Sequence, residues 1–312
     1  MNKCDNATIL EFHILAFSAS GDMSYTIFFG FLFTYLLAVF GNLLIASLVF
    51  AMPQLHTPMY FFLFNLSVVD TTFTSTIFPN FLSITLNTNT TVSFLSCITQ
   101  LYLYIFCVDE EIFILTCMAY DRYVAVCSPL HYPLLMNKKM CIVMAASSLL
   151  ISTLDSLMLS FLIYSLSFCH SSEINHFFCE TSAIMSISNS DTTSLEMLLL
   201  IEDICLVFFT FVLIMFSYLR IISSILKISS LKGRIKTFSS CSSHLTSVLV
   251  FYGPIFFLYI KSMSDYSSDD DKFISLLYVA LVPMLNPIVY SLRNKEVIGA
   301  VRKVLNIKRN RL

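Results

Sequence analysis

The chain has 312 residues, of which 57% are hydrophobic and only 12% charged, and its 18 basic and 20 acidic residues leave a net charge of −2. A mean hydropathy of +0.79 and 30 phenylalanines exclude a soluble globular fold, which carries roughly a quarter charged residues and needs a polar surface. The expected partner is a lipid bilayer, and no nucleic-acid partner is expected.

The N-terminal stretch MNKCDNATILEFHILAFSASGD contains acidic residues and no clean apolar core. It does not resemble a cleavable signal, so the first spanning helix is expected to act as the targeting signal. Crossing a hydrocarbon core of ~30 Å takes about 20 residues of helix. Windows of that kind fall at 24–50, 58–86, 97–121, 140–165, 196–226, 237–260 and 272–292. The connections are short except 166–195, and no repeat or flexible linker divides the chain. The reading is one all-α domain: an N-terminal segment over 1–23, a bundle of seven transmembrane helices over 24–292, and a tail over 293–312. In the tail, Val297, Ile298, Val301, Val304 and Leu305 give an apolar face beside Arg302 and Lys303, suited to a short amphipathic eighth helix on the inner leaflet.

Charge sets the orientation. Arg122, Lys138, Lys139, Arg220, Lys227, Lys232, Arg234, Lys236, Arg293, Lys295, Arg302, Lys303, Lys308, Arg309 and Arg311 all fall on one side of these spans, whereas Lys3, Lys261 and Lys272 fall on the other. The positive-inside rule then predicts an extracellular N-terminus and a cytoplasmic tail in the plasma membrane. The sequons at Asn6 and Asn89 lie on the predicted outer side and are the expected glycosylation sites. Asn65 also matches but sits inside the second window.

Six motifs follow one another in register with these windows: GNLLI at 41–45, LHTPMYFFLFNLSVVD at 55–70, MAYDRYVAVCSPLHY at 118–132, SYLRIISSILKI at 217–228, KTFSSCSSHLTSV at 236–248 and PMLNPIVYSLRNKEV at 283–297. Along nearly its whole length the chain resembles a vertebrate odorant receptor of the rhodopsin-like G-protein-coupled class. That resemblance implies a small-molecule odorant as ligand, a heterotrimeric G protein of the stimulatory, olfactory type as partner, a rise in cyclic AMP, and no enzymatic activity. It assigns Asp121, Arg122, Tyr123, Tyr218 and Tyr290 to the G-protein switch, with Arg122 paired to Asp121 at rest. The alternative for Arg122 is a snorkelling anchor at the water boundary.

The resemblance further implies a disulfide between Cys97 and Cys179. A loop cysteine usual in the family is replaced here by Asn189, so Cys169 is expected to lack its usual partner; it is either free or bonded to Cys4, the remaining outer cysteine. Cys107, Cys117, Cys127, Cys141, Cys205 and Cys241 read as packing residues. No zinc-ligand spacing is present. Asp70 and Glu111 are acids at mid-depth with no basic residue to neutralise them, so each needs a proton, hydrogen bonds to Asn42, Ser67 and Asn286, or an ion. Resemblance to the family's sodium pocket implies Na⁺ shared by Asp70 and Glu111; a protonated network is the alternative. No other cofactor is expected.

The ligand pocket is read from the residues. At ~100° per residue, Tyr104, Ile105, Val108 and Ile112 share one face of the third window, with Asp109 and Glu111 at its two flanks and Glu110 pointing away towards a neighbouring helix. The fourth window adds Asp155, Met158 and Leu159, the fifth Glu202, Asp203 and Leu206, the sixth Phe251, Tyr252, Ile255 and Tyr259, and the seventh Leu276, Leu277, Tyr278 and Ala280. An aromatic cavity with an acidic wall suits a cationic amine. Equally, the acids can serve helix–helix contacts or a wet cavity mouth. Pro254, beside Gly253, is a departure from the family and predicts a kink in the sixth helix that eases opening or reshapes the pocket. A non-olfactory small-molecule receptor is the alternative function. A transporter or channel is disfavoured by the lack of a repeat, and an intramembrane enzyme by the lack of paired catalytic groups.

Overall fold

A computed structural model describes residues 11–15, 22–86, 91–169, 172–262, 268–293, 297 and 299. Seven long helices appear among the described residues: Asp22–Ala51, Pro58–Leu86, Phe94–Cys127, Lys138–Tyr164, Thr193–Leu226, Leu231–Ser262 and Ser268–Arg293, here the first to seventh helices. Five of them are long and apolar enough to cross a membrane on that ground alone. The third is not, because it carries Asp109, Glu110, Glu111, Asp121 and Arg122, and in the sixth only Cys241–Phe257 is apolar. The architecture is an all-α bundle.

Local chemistry sets the helix starts. Pro58 opens the second helix, where a missing N–H costs nothing. Ser93 Oγ accepts the Ser96 N–H at 3.2 Å to cap the third, and Asn137 Oδ1 accepts the Met140 N–H at 2.9 Å to cap the fourth, each satisfying a donor the helix cannot. The third helix runs to Cys127, beyond the predicted end at 121, so Asp121 and Arg122 lie more than a turn inside it. The sixth helix continues through Pro254 and the seventh through Pro283 and Pro287. In the fifth, residues Ile204–Phe208 form a π-turn directly after Asp203, a wide turn that shifts the register of the side chains after it.

Small residues and buried amides hold the helices together. A Cβ on Gly41 would lie 2.9 Å from Pro287 Cγ and 3.0 Å from its Cβ, so GNLLI brings the first helix against a rigid ring of the seventh. One residue on, Asn42 Nδ2 donates to Ala38 O at 3.0 Å and to Pro283 O at 2.9 Å, tying the two helices at the same level. Asn42 is therefore spent on backbone carbonyls rather than on Asp70, contrary to the sequence reading.

The face of the bundle that carries the N-terminus has a cover that hydropathy did not predict. Three short strands, Glu11–Ile14, Thr91–Ser93 and Glu173–Ile174, form a small sheet with Glu11–Ile14 in the middle, antiparallel to Thr91–Ser93 and parallel to Glu173–Ile174. Phe12 and Ile14 point inward and are fully buried. The Phe12 ring centroid sits 5.6 Å from that of Phe94 and 5.4 Å from that of Phe168. A window scaled to helices passes over strands of two to four residues.

Cys97 and Cys179 are bonded across a separation of 82 residues, a closure worth about 4.5 kcal/mol on chain-entropy grounds. Cys169 is also disulfide-bonded, its partner lying outside the described residues, which decides between the free and the bonded cysteine that the loss of its usual partner had left open. Asn189 still serves this loop, since its Oδ1 accepts the Cys169 N–H at 2.8 Å. Asn6, Asn89, Cys4 and the tail from 300 on lie outside the described residues, as does most of the predicted eighth helix. Val297 is buried. Asn65 donates to Phe61 O at 2.8 Å within the second helix and is not placed for glycosylation.

Two predictions follow from this packing. Gly41→Ala is expected to push the first helix off Pro287 and lower the melting temperature of the purified protein, as overpacking costs about 1–3 kcal/mol; an unchanged melting temperature would show that the ring can yield. Cys97→Ser is expected to abolish surface delivery and Cys169→Ser to reduce it strongly, both read by surface labelling of an N-terminal tag; full delivery of Cys169→Ser would make its bond dispensable.

Candidate functional site

Three polar centres lie along the bundle. Nearest the basic face, Asp121 is completely buried and bound from two directions: Arg122 Nε donates to Oδ2 at 2.9 Å and Tyr132 Oη donates to Oδ1 at 2.8 Å. Arg122 NH2 reaches Oδ2 as well. Tyr132 opens a short helix, Tyr132–Leu135, in the connection that follows the third helix, and sequence reasoning did not assign it a role although it lies in the quoted SPLHY stretch. Tyr218 is buried and hydrogen-bonded: its hydroxyl lies 2.7 Å from His244 Nδ1 and donates to Cys241 O at 3.1 Å, while His244 Nε2 lies 3.0 Å from Leu115 O. His244, completely buried and unassigned from sequence, thus links the third, fifth and sixth helices. Tyr290 is buried, and the Tyr123 ring lies 6.5 Å from that of Tyr120.

The middle centre joins three helices. Asn286 Nδ2 donates to Asp70 Oδ2 at 3.0 Å and to Glu111 Oε1 at 3.3 Å, and all three residues are buried. Asp70 Oδ1 has no hydrogen-bond partner among the described residues. A buried orphan oxygen beside a second carboxylate fits a small cation or a proton. Ser67 is buried on the same helix as Asp70.

Towards the N-terminal face lies a cavity of about 830 Å³ between the third, fifth and seventh helices and the 166–195 connection. Of the residues singled out in the sequence, Tyr104, Ile105, Val108, Asp109, Ile112, Leu159, Glu202, Asp203, Leu206, Ile255 and Tyr278 line it. Others do not. Met158 is 44% exposed on the outside of the bundle, since one residue of helix turns it ~100° from Leu159. Phe251, Leu276 and Ala280 are buried in the packed core, Leu277 is half-buried away from the wall, and Tyr252 spends its hydroxyl on Thr210 Oγ1 at 2.9 Å. The Tyr259 side chain lies outside the described residues. Of the four seventh-helix candidates only Tyr278 lines the cavity, beside Ser275 and Val279, a rotation that periodicity alone does not determine.

The long connection supplies a wall that no periodic signal announced. Gln100 fastens it, donating from Nε2 to Thr76 O at 2.9 Å and accepting the Cys179 N–H on Oε1 at 3.0 Å. The Phe178 ring then lies 4.9 Å from that of Tyr104. Glu180 caps the short helix Thr181–Ser186 by accepting the Ala183 N–H at 3.1 Å, and Glu180, Thr181, Ser182, Met185 and Ser186 face the cavity. Beside them, burial holds the His176 imidazole below the usual histidine range, with Glu180 opposing that shift and Lys272 adding to it.

The three adjacent acids of the third helix have separate fates. Glu110 is buried against the fourth helix, where Ser148 Oγ and Ser152 Oγ donate to it at 2.9 Å and 3.2 Å. Glu111 belongs to the middle centre. Asp109 meets Asp155 and Glu202: one carboxylate oxygen of each lies within 4.8 Å of the others. Asp155 is not a lining residue and stands behind the wall. Like charges at that distance repel by about 3.5 kcal/mol per pair at an effective dielectric of about 20, so the three cannot all remain ionised and uncompensated.

Comparison with known proteins agrees with the motifs. A family model described as Olfactory receptor matches residues 31–308. The chain is similar to Olfactory receptor 5AR1 of Mus musculus, at 42% identity over 99% of both chains, and to Olfactory receptor 5AR1 of Homo sapiens, at 41% over the same shares. It is also 39% identical to Olfactory receptor 13G1 of Homo sapiens, over 96% of this chain and 98% of that one.

Proposed function

Because the chain belongs to the olfactory receptor family of multi-pass membrane proteins, we propose that it is an odorant receptor for a small cation, an aliphatic or aromatic amine, acting through a stimulatory, olfactory-type G protein to raise cyclic AMP. The observation that carries the ligand class is the cavity lining. Asp109, Glu180, Glu196, Glu202 and Asp203 face it, and no lysine, arginine or histidine is among its described lining residues. An ammonium entering this cavity gains charge-assisted hydrogen bonds and the ring faces of Tyr104 and Tyr278. A carboxylate of the same skeleton finds hydroxyl groups but no basic side chain among the described lining residues, and meets the repulsion of the acids.

Orientation in the plasma membrane, with the N-terminus outside, is supported by two asymmetries. The disulfide-bonded Cys97, Cys169 and Cys179 belong to the N-terminal face and need an oxidising compartment. Lys138, Lys139, Arg220 and Lys227 belong to the other face and suit the cytoplasm. The Asp121–Arg122–Tyr132 cluster then serves as the resting latch. Opening the bundle frees Arg122 for the G protein, at low cost because water at the membrane boundary takes over its solvation. In the middle centre, Asp70, Glu111 and Asn286 would hold a sodium ion that stabilises the resting state by neutralising the buried carboxylates; two protonated acids are the competing reading.

The latch makes a prediction in two directions. Arg122→Ala is expected to abolish cyclic AMP signalling with surface expression retained, whereas Tyr132→Phe, which takes one of two partners from Asp121, is expected to raise ligand-independent cyclic AMP about two- to tenfold, in line with about 0.5–1.5 kcal/mol for one hydrogen bond. Unaltered basal signalling in Tyr132→Phe would leave Asp121 held by Arg122 alone. The ligand class is tested by comparing amines with acids of the same carbon skeleton at pH 7.4, where the amines stay charged. Amines are expected to be the better agonists, and Asp203→Asn to raise the effective concentration for amines about tenfold or more while moving neutral odorants little, about 1.4 kcal/mol or more for a charged contact. Equal losses for charged and neutral ligands would make Asp203 a packing residue.

A further inference from the structure

Asp109, Asp155 and Glu202 come from the third, fourth and fifth helices, and each presents one carboxylate oxygen within 4.8 Å of the other two. A hard divalent cation such as Ca²⁺ binds carboxylate oxygens at about 2.3–2.6 Å, so two oxygens on opposite sides of it stand about 5 Å apart. The spacing therefore suits one ion held in common. Asp109 is only 5% exposed, and its Oδ2 meets no donor among the described residues; the side chain at hydrogen-bond distance from Asp109 is that of Asp155, another acid. Asp155 Oδ2 and Glu202 Oε2 are buried and likewise meet no donor, the Asp155 carboxylate lying at hydrogen-bond distance from both of the other acids. By contrast, Glu110, one residue away, has both oxygens satisfied by Ser148 and Ser152.

We propose that Asp109, Asp155 and Glu202 form a divalent-cation site for a hard, oxygen-seeking ion such as Ca²⁺, at the edge of the ligand cavity. Two observations favour an atomic ion over the ammonium group of an odorant. Asp155 stands behind the cavity wall while Asp109 and Glu202 line it, so a molecule in the cavity reaches two of the carboxylates and a small ion reaches all three. Three carboxylates also hold more negative charge than one ammonium offsets. The all-oxygen donor set selects Ca²⁺, Mg²⁺ or Mn²⁺ over zinc or copper, which favour nitrogen and sulfur. The ion would clamp three helices and turn its remaining coordination positions towards the cavity, where an odorant oxygen or water can fill them. The site does not rest on the amine reading, since Asp203, Glu180 and Glu196 are not among its ligands, and a receptor indifferent to amines would still bind the ion.

The test uses full-length receptor purified in detergent, stripped with EDTA and titrated with Mn²⁺ and Ca²⁺ at constant ionic strength. Bound Mn²⁺ is read from its electron paramagnetic resonance signal, and stability from thermal unfolding. One saturable Mn²⁺ is expected, displaced by Ca²⁺, with a midpoint of about 0.1–1 mM, as for extracellular calcium modules, and with a rise in melting temperature. Asp109→Asn, Asp155→Asn and Glu202→Gln are each expected to weaken it about tenfold or more, while Glu196→Gln and Asp70→Asn leave the midpoint unchanged. In EDTA, Asp155→Asn is expected to be more stable than the wild type, because it relieves the crowding of three neighbouring acids and supplies an amide donor to the other two; a purely structural carboxylate would give the opposite sign. No saturable Mn²⁺ in the wild type at about 10 mM, far above that range, would overturn the proposal without any variant. So would binding that survives in the triad variants and disappears in Asp70→Asn, which would place the ion in the middle centre.

Discussion

The bundle is organised around the cost of burying carboxylates in a medium that offers them no water. An unpaired carboxylate there costs several kcal/mol, and within the described residues the helices bury Asp70, Asp109, Glu110, Glu111 and Asp121. Each is settled differently. Asp121 takes Arg122 and Tyr132, Glu110 takes two serines, and Glu111 and Asp70 share one amide from Asn286. Only Asp109 faces two further acids. The satisfied acids cross-link helices, and those left with orphan oxygens are where ions, protons or ligands have something to gain.

The same economy governs the two ends of the bundle. At the basic face, Asp121 and His244 connect the third helix to the short Tyr132–Leu135 helix and to the fifth and sixth helices through a few hydrogen bonds, a set that can exchange partners with water at a modest cost. At the N-terminal face, the Cys97–Cys179 bond and Gln100 fix the long connection against the third helix. The cavity wall is thereby held by a covalent bond and a buried amide instead of by the intrinsic stability of a loop. The π-turn at Ile204–Phe208 follows the acidic pair Glu202 and Asp203, both of which face the cavity.

What the chain's own sequence determined is whatever depends on composition and on short-range order. Apolar length placed all seven helices, with ends off by up to six residues in the third and sixth, because about 20 residues are needed to cross the hydrocarbon whatever the neighbours are. The ordered motifs identified the family, and the spacing of Asp109, Glu110 and Glu111 separated their directions, since ~100° per residue is a local property. Tertiary structure decided what depends on the rotation and height of one helix against another. It turned Met158 outward, packed Leu276 and Ala280 into the core while leaving Tyr278 at the cavity, spent Asn42 on the backbone of Pro283, gave Cys169 a bond, and brought Asp155 from behind the wall to Asp109 and Glu202. Contacts between residues 46 and 93 positions apart leave no periodic trace in a single chain, and the packing that creates them comes from shapes such as Gly41 against Pro287, which exist only once the helices have met.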